Sequence, residues 1–248
     1  MRRPIAIGLS ISAALVALAL ACAEPIRPDP DKPRYECRRA DRIRVDGSLE
    51  DWDGVQFTEP FMYPWPAQTG PRLETRAALA WDDCFLYVAY RCEDPDITAT
   101  HTERDDPTYM DDCVEIFIAA APERSRMYYG FEMNALGTMY DYFNAIPDAL
   151  LNEWDAAGWS LRTRIDGTLN DREDTDRGWT LEVAIPLANF SGLSRKPRPE
   201  PGDVWRIILN RWDGTAPDRA LSEWTPSGQA GPDPHRPEGF GELLFVGE

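Results

Sequence analysis

Apolar residues in this chain recur at every second position, in short runs separated by Gly, Pro, Asp and Asn. Over 179–185, Trp179, Leu181, Val183 and Ile185 alternate with Thr180, Glu182 and Ala184, so the first four share one face of a strand. Over 113–119, Val114, Ile116 and Ile118 form such a face and leave Glu115 beside Phe117 on the other side. Over 204–212, Trp205, Ile207 and Leu209 point inward, and Arg206 and Asn210 point outward; Arg211 takes the inward parity. Further strands are predicted over 75–81 and 85–92, joined by a tight Asp82-Asp83 turn, and over 127–134 and 138–143, flanking Ala135-Leu136-Gly137. Runs at 160–165 and 240–246 complete the set, and Ile43-Arg44-Val45 runs into an Asp46-Gly47 turn. Helical spacing is scarce, and 149–157 is read as one short helix. Many short strands with such turns predict an all-β fold, a two-sheet antiparallel β-sandwich of jelly-roll type. Without an intervening bulge, Glu115 and Asn210 then share one outer, concave sheet face.

The first 34 residues break this pattern. Arg2 and Arg3 precede an apolar run from Ile5 to Ala21, which ends in Leu18-Ala19-Leu20-Ala21-Cys22. The run is short for a membrane span and its end is rich in small residues, as in a secretory signal over 1–21. The small residue before a lone Cys resembles a bacterial lipobox. That resemblance implies a lipidated Cys22 as the mature N-terminus and stable attachment to a membrane. A soluble secreted protein cleaved near Ala21 or Ala23 is the alternative. Ala23 is not the Asp that some bacteria use for inner-membrane retention, so the resemblance favours the outer membrane, on its periplasmic or cell-surface side. Residues 23–34 hold four prolines among alternating charges and read as a tether following Cys22. Residues 35–248 are then one β-sandwich domain.

The formal net charge of −17 disfavours nucleic acid as a partner. Past Cys22 stand Cys37, Cys84, Cys92 and Cys113. An even number in an exported chain predicts disulfides. Three connectivities are open. Cys92–Cys113 with Cys37–Cys84 is preferred, because Cys92 and Cys113 end runs expected to be neighbouring strands. The acidic pairs Asp94 and Asp96, Asp105 and Asp106, and Asp111 and Asp112 offer oxygen ligands for a structural calcium ion, although none follows an EF-hand pattern. No GxSxG elbow, HExxH helix or phosphate-cradling glycine loop is present, and the chain is not expected to be an enzyme.

Eight ordered motifs carry a resemblance. They are VDGSLEDWDGV (45–55), AWDDCFLYVAYRCEDPDI (80–97), DDCVEIFI (111–118), YYGFEMNALG (128–137), GWTLEVAIP (178–186), PGDVWRIILNRWD (201–213), SEW (222–224) and HRPEGFGELLF (235–245). Together they resemble the family 9 carbohydrate-binding modules and their bacterial relatives with a DOMON-like β-sandwich. The resemblance implies a sugar end held between two aromatic rings with polar side chains around it, and loops braced by calcium. Matched by motif, Tyr109 stands for the first ring, Glu115 for the acidic residue of the following strand, and Asn210 for the polar residue of a later one. Arg211 and Trp224 are further candidates, as hydroxyl donor and aromatic platform. Two positions depart from the pattern. Pro234 and His235 stand where the second ring is expected, and Glu132 replaces a basic residue. The expected partner is a plant or microbial polysaccharide or an oligosaccharide end, with any glycoside hydrolase supplied as a separate polypeptide. An envelope scaffold that has lost sugar binding is the alternative. A second is a haem-binding DOMON-like module, for which Met127 and Met133 are strand residues of core parity.

Overall fold

The structure is a computed structural model and describes residues 31–40, 43–122, 126–146 and 149–247. The export signal, Cys22 and most of the tether lie outside the described residues. Twelve strands follow in order: β1 Arg34–Arg39, β2 Thr75–Trp81, β3 Phe85–Glu93, β4 Cys113–Ala119, β5 Tyr128–Asn134, β6 Met139–Ile146, β7 Ala149–Leu151, β8 Ser160–Asp166, β9 Gly178–Pro186, β10 Val204–Thr215, β11 Asp218–Glu223 and β12 Gly241–Val246. They form one continuous sheet in the order β7-β6-β5-β4-β10-β12-β1-β2-β3-β9-β8, with β11 paired to β10.

The sheet curls so that its two halves face each other. Tyr90 on β3 donates its hydroxyl to the Glu115 carbonyl on β4 at 2.8 Å, although four strands separate β3 from β4 along the sheet. Between the halves lies the main core, which includes Leu79, Val88, Tyr90, Val114, Ile116, Phe131, Leu181, Val183, Trp205 and Phe245. The predicted inward faces are all in it. Met127 and Met133 are buried there too, as their parity requires.

The outer face of β2, β3 and β9 is closed by the segment that carries the first motif. Trp52 packs there with Ala78, Ala80, Ala89 and Ala184. Buried Glu182 gathers that segment by accepting from Trp52 Nε1 at 2.7 Å, Gly47 N at 2.6 Å and Asp46 N at 3.1 Å. Gly47 turns the chain at φ 87°, a conformation that a Cβ disfavours. The first motif is thus a cover stitched to one carboxylate.

Several expectations need correction. The sheet is mixed rather than a pair of antiparallel sheets, because β1 runs parallel to both β12 and β2. Residues 43–45 form no strand, 149–157 form no helix, and β7 begins at Ala149 instead. β11 pairs with β10 over Asp218–Glu223 without having been anticipated.

The four described cysteines are free thiols. Parity explains this for Cys92–Cys113. Cys92 faces the main core, whereas Cys113 shares the outward parity of Glu115 and Phe117. In Cys37–Cys84, Cys37 is in the core and Cys84 is exposed at the β2–β3 turn. The Cys92–Cys113 pair would have joined opposite sides of the sheet, and the Cys37–Cys84 pair a core thiol to an exposed one.

Candidate functional site

On the outer face of β11, β10, β4, β5 and β6, the strand registers line up one row of side chains. Glu223 is opposite Asn210, Asn210 opposite Glu115, Glu115 opposite Glu132, and Glu132 opposite Tyr140. The predicted pairing of Glu115 with Asn210 is therefore direct, and Asn210 Nδ2 donates to Glu115 Oε2 at 3.2 Å. Glu115, Glu132, Asn210 and Glu223 are 2, 3, 0 and 0 % exposed, so this row is a floor rather than an open surface. Glu223 Oε2 accepts from Ser227 N at 2.7 Å. Glu132 Oε2, Asn210 Oδ1 and Glu223 Oε1 have no hydrogen-bond partner.

The electrostatics of the floor follow from burial. Burial pushes the Glu115 carboxyl up to about 8, against the hydrogen bond from Asn210 and the nearby Arg219. It pushes Glu132 well above the usual range, and the Glu115 charge adds to that. Glu223 is raised by burial to about 7, with opposing hydrogen bonds from Ser227. Adjacent carboxyls in low dielectric bind their protons more tightly than carboxyls in water. A floor of this kind can both donate to and accept from a ligand.

Next to the floor, Ile208, Phe117, Gly130 and Tyr142 make an apolar shelf. Gly130 lets the Tyr142 ring cross the sheet, since a Cβ there would lie 2.2 Å from Tyr142 Cζ. His235, in the position where the resemblance expects a second ring, is exposed and stacks on Phe117, with centroids 5.0 Å apart and planes at 19°. Its Nδ1 shares a hydrogen bond of 2.8 Å with the Tyr128 hydroxyl.

On the other side of the row, the helical turn Thr108–Met110 carries Tyr109. Thr108 anchors the turn by donating to the Glu132 carbonyl at 3.0 Å. Tyr109 is 39 % exposed, and its centroid is 6.2 Å from that of Tyr140. Trp212 has the same parity on β10 as Asn210 and is half-buried beneath the Arg219 guanidinium, 4.4 Å from its ring centroid. Sequence reasoning missed Trp212, Arg219, Tyr140 and Glu223. Parity from Asn210 was a signal for Trp212, but the others depend on registers that only the fold supplies.

Two candidates fall elsewhere. Trp224 follows Glu223 and so faces the main core, 8 % exposed and edge-on to Tyr35 at 6.5 Å. Arg211 is fully buried on the inward side. It donates to Asp94 Oδ2 at 2.9 Å, Glu93 O at 2.6 Å and Thr75 Oγ1 at 3.1 Å, and it also pairs with Asp213.

The same arginine bears on calcium. Carboxylate oxygens of Asp94, Asp112 and Asp213 lie within 4.8 Å of one another. That cluster already holds the Arg211 guanidinium, and Asp112 also accepts from Thr98 N at 2.6 Å and Gly214 N at 2.8 Å. The second cluster, Asp105, Asp141 and Asp155, is paired with Arg104. Asp111 accepts from His101 N and Asn134 Nδ2, which fixes the loop before β4. In this arrangement each cluster is neutralised by an arginine, Arg211 in the first and Arg104 in the second.

A family model described as carbohydrate family 9 binding domain-like matches residues 45–229, a span that contains every residue of the floor. The chain belongs to this family. Three solved structures share the fold of this family 9-like chain. A module of family 9 from Caldicellulosiruptor kristjanssonii in complex with cellotriose is 20 % identical, with a TM-score of 0.61 over 87 % of this chain and 95 % of that one. Its complex with glucose gives 20 % and 0.63 over 87 % and 97 %. A protein of Bacteroides uniformis ATCC 8492, provisionally described as carbohydrate-binding, is 19 % identical, with a TM-score of 0.71 over 87 % of this chain and all of that one. No curated protein matches the chain.

Proposed function

We propose that this protein is a non-catalytic glycan-binding module whose sugar rests between the exposed rings of Tyr109 and His235 and turns its hydroxyls toward Glu115, Glu132 and Asn210. The observation that carries the reading is the row of buried, partly unpartnered polar atoms lying between those rings. A pyranose offers apolar C–H faces to an aromatic ring and hydroxyls to fixed donors and acceptors, so it suits both features. Family membership and the cellotriose and glucose complexes of structural neighbours support it.

Calorimetric titration with glucose, cellobiose and xylobiose tests the reading. Heat that falls about tenfold or more in apparent affinity on Tyr109→Ala, with the unfolding midpoint unchanged, is the expected result. A folded protein that gives no heat with any sugar would sink it. In the cell, the reading places this module on the outer membrane through lipid on Cys22, spaced by the proline-rich tether and acting beside separate glycoside hydrolases. Loss of membrane fractionation in Cys22→Ser is the check on that placement.

A further inference from the structure

His235 stands where the second ring is expected, and two strands beneath it fix its protonation state. Tyr128 on β5 and Asn144 on β6 are register partners, 1 and 6 % exposed. Asn144 Nδ2 donates to the Tyr128 hydroxyl, which shares the 2.8 Å bond with His235 Nδ1. An amide NH2 offers no acceptor, so the phenolic proton is left with one partner, the Nδ1 lone pair. A proton on Nδ1 would aim two donors at one phenol oxygen and leave the phenol's own proton buried without an acceptor, which is costly. The imidazole is therefore held as the neutral tautomer that carries its proton on Nε2.

The ring is also fixed in its plane. One face lies on Phe117, and Phe117 stacks in turn on Tyr128, with centroids 5.5 Å apart and planes at 22°. Asp233 Oδ1 accepts from the His235 backbone N–H at 2.9 Å and anchors the loop. The opposite face of the ring is left open. A neutral aromatic face suits the C–H face of a pyranose, whereas an imidazolium brings a charge that stacking would strip of water. We infer that Tyr128 and Asn144 are positioning residues of the sugar site, which hold His235 neutral and in plane so that it serves as the second stacking platform. This inference rests on the glycan-binding reading and assigns the groups that maintain one of its two rings.

Burial lowers the His235 pKa from the ordinary imidazole value, against the charge of Asp233. The other groups around the ring come from every neighbouring element. Tyr142 on β6 has its ring centroid 6.2 Å away, and Glu115 on β4 and Glu132 on β5 act on the Tyr128 phenol. Glu238 is paired with Arg126, and Arg236 donates to the Gly228 carbonyl at 3.3 Å. Tyr128→Phe removes a bond that only neutral His235 accepts, so the His235 pKa should rise toward about 6.5. More of the ring is then charged at pH 5.5, and sugar affinity should fall on acidification. Glu115 at about 8 and Glu223 at about 7 titrate above that range.

The test uses the full chain with isotope-labelled histidine, read by proton–nitrogen correlation NMR, together with calorimetric titration of cellobiose and glucose at pH 5.5 and pH 6.5. His235→Ala identifies the His235 signals by their loss. The expected parent spectrum is that of the neutral Nε2–H tautomer, with less than about a twofold change in cellobiose affinity between the two pH values. In Tyr128→Phe the His235 midpoint should rise and the affinity ratio between the two pH values should reach about fivefold, the ratio of neutral fractions for a pKa of about 6.5. His235→Ala should weaken cellobiose about fivefold. An Nδ1–H tautomer in the parent overturns the inference. So does His235→Ala that binds cellobiose as the parent does, with heat that still depends on Tyr109; both results leave the glycan reading standing. No heat with either sugar from the folded parent overturns both. Should Tyr128→Phe fail to fold, the parent tautomer and His235→Ala still decide.

Discussion

Replacing Arg211 by Met tests whether the inner acidic cluster depends on a built-in cation. The guanidinium is fully buried and bonds Asp94, Asp213, Thr75 and the Glu93 carbonyl. Methionine keeps most of the side-chain volume, so the cavity contribution is small and the electrostatic one dominates. Breaking a buried ion pair from one side costs about 3–5 kcal/mol, because the remaining charges stay in low dielectric. Here Asp94, Asp112 and Asp213 are left facing each other. That loss is a large part of the roughly 5–15 kcal/mol that a domain has.

The pH dependence gives the prediction its signature. Burial has already raised Asp94 to about 6 and Asp213 to about 7 with Arg211 present to oppose it. Without Arg211 both rise further. An acid whose folded pKa exceeds its unfolded value of about 4 binds more protons when folded, so stability falls as pH rises through that window. The deficit of Arg211→Met should therefore be largest near pH 8 and shrink toward pH 5. Urea unfolding followed by tryptophan fluorescence at four pH values, parent against variant, measures it. A deficit below about 1 kcal/mol, or one that does not vary with pH, would refute the reasoning.

Three further outcomes are expected. Gly130→Ala forces the Tyr142 ring off the sheet and should destabilise by about 1–3 kcal/mol while weakening sugar binding, as read by unfolding and calorimetry together. A thiol reagent should label Cys84 in the folded protein, and Cys37, Cys92 and Cys113 only after denaturation; denatured, unreduced protein lacking these thiols would restore the disulfide expectation. Trp52→Phe removes the 2.7 Å bond to Glu182 and should cost about 1.5–3 kcal/mol in unfolding free energy, and an unchanged midpoint would show that the cover is not held by that carboxylate.

Alternation of apolar residues was enough to assign the faces of β4, β9 and β10 correctly, because side-chain direction in a strand is fixed by its period of two. The same rule put Glu115 and Asn210 on one face, and the structure makes them register partners. Strand 34–39 was not legible, since Arg34-Tyr35-Glu36-Cys37-Arg38-Arg39 is mostly charged and sits at the end of a proline-rich stretch. Its parallel pairing with β12 and β2 joins segments more than 200 residues and about 40 residues away, which no local pattern encodes. The disulfide expectation failed for a related reason. It treated strands close in sequence as neighbours, whereas the curled sheet separates β3 from β4 by four strands.

What the sequence alone determined was local or cumulative: the all-β class, the inward faces, and, through eight motifs in order, the family. What only the tertiary structure decided was which distant groups meet. Glu132 and Glu223 joined Glu115 and Asn210 through strand register, Tyr140 came under Tyr109 through a loop, and Arg211 entered the cluster of Asp94, Asp112 and Asp213. The physical reason is that a strand fixes the direction of its own side chains, while the neighbours of those side chains are chosen by pairing across the whole chain.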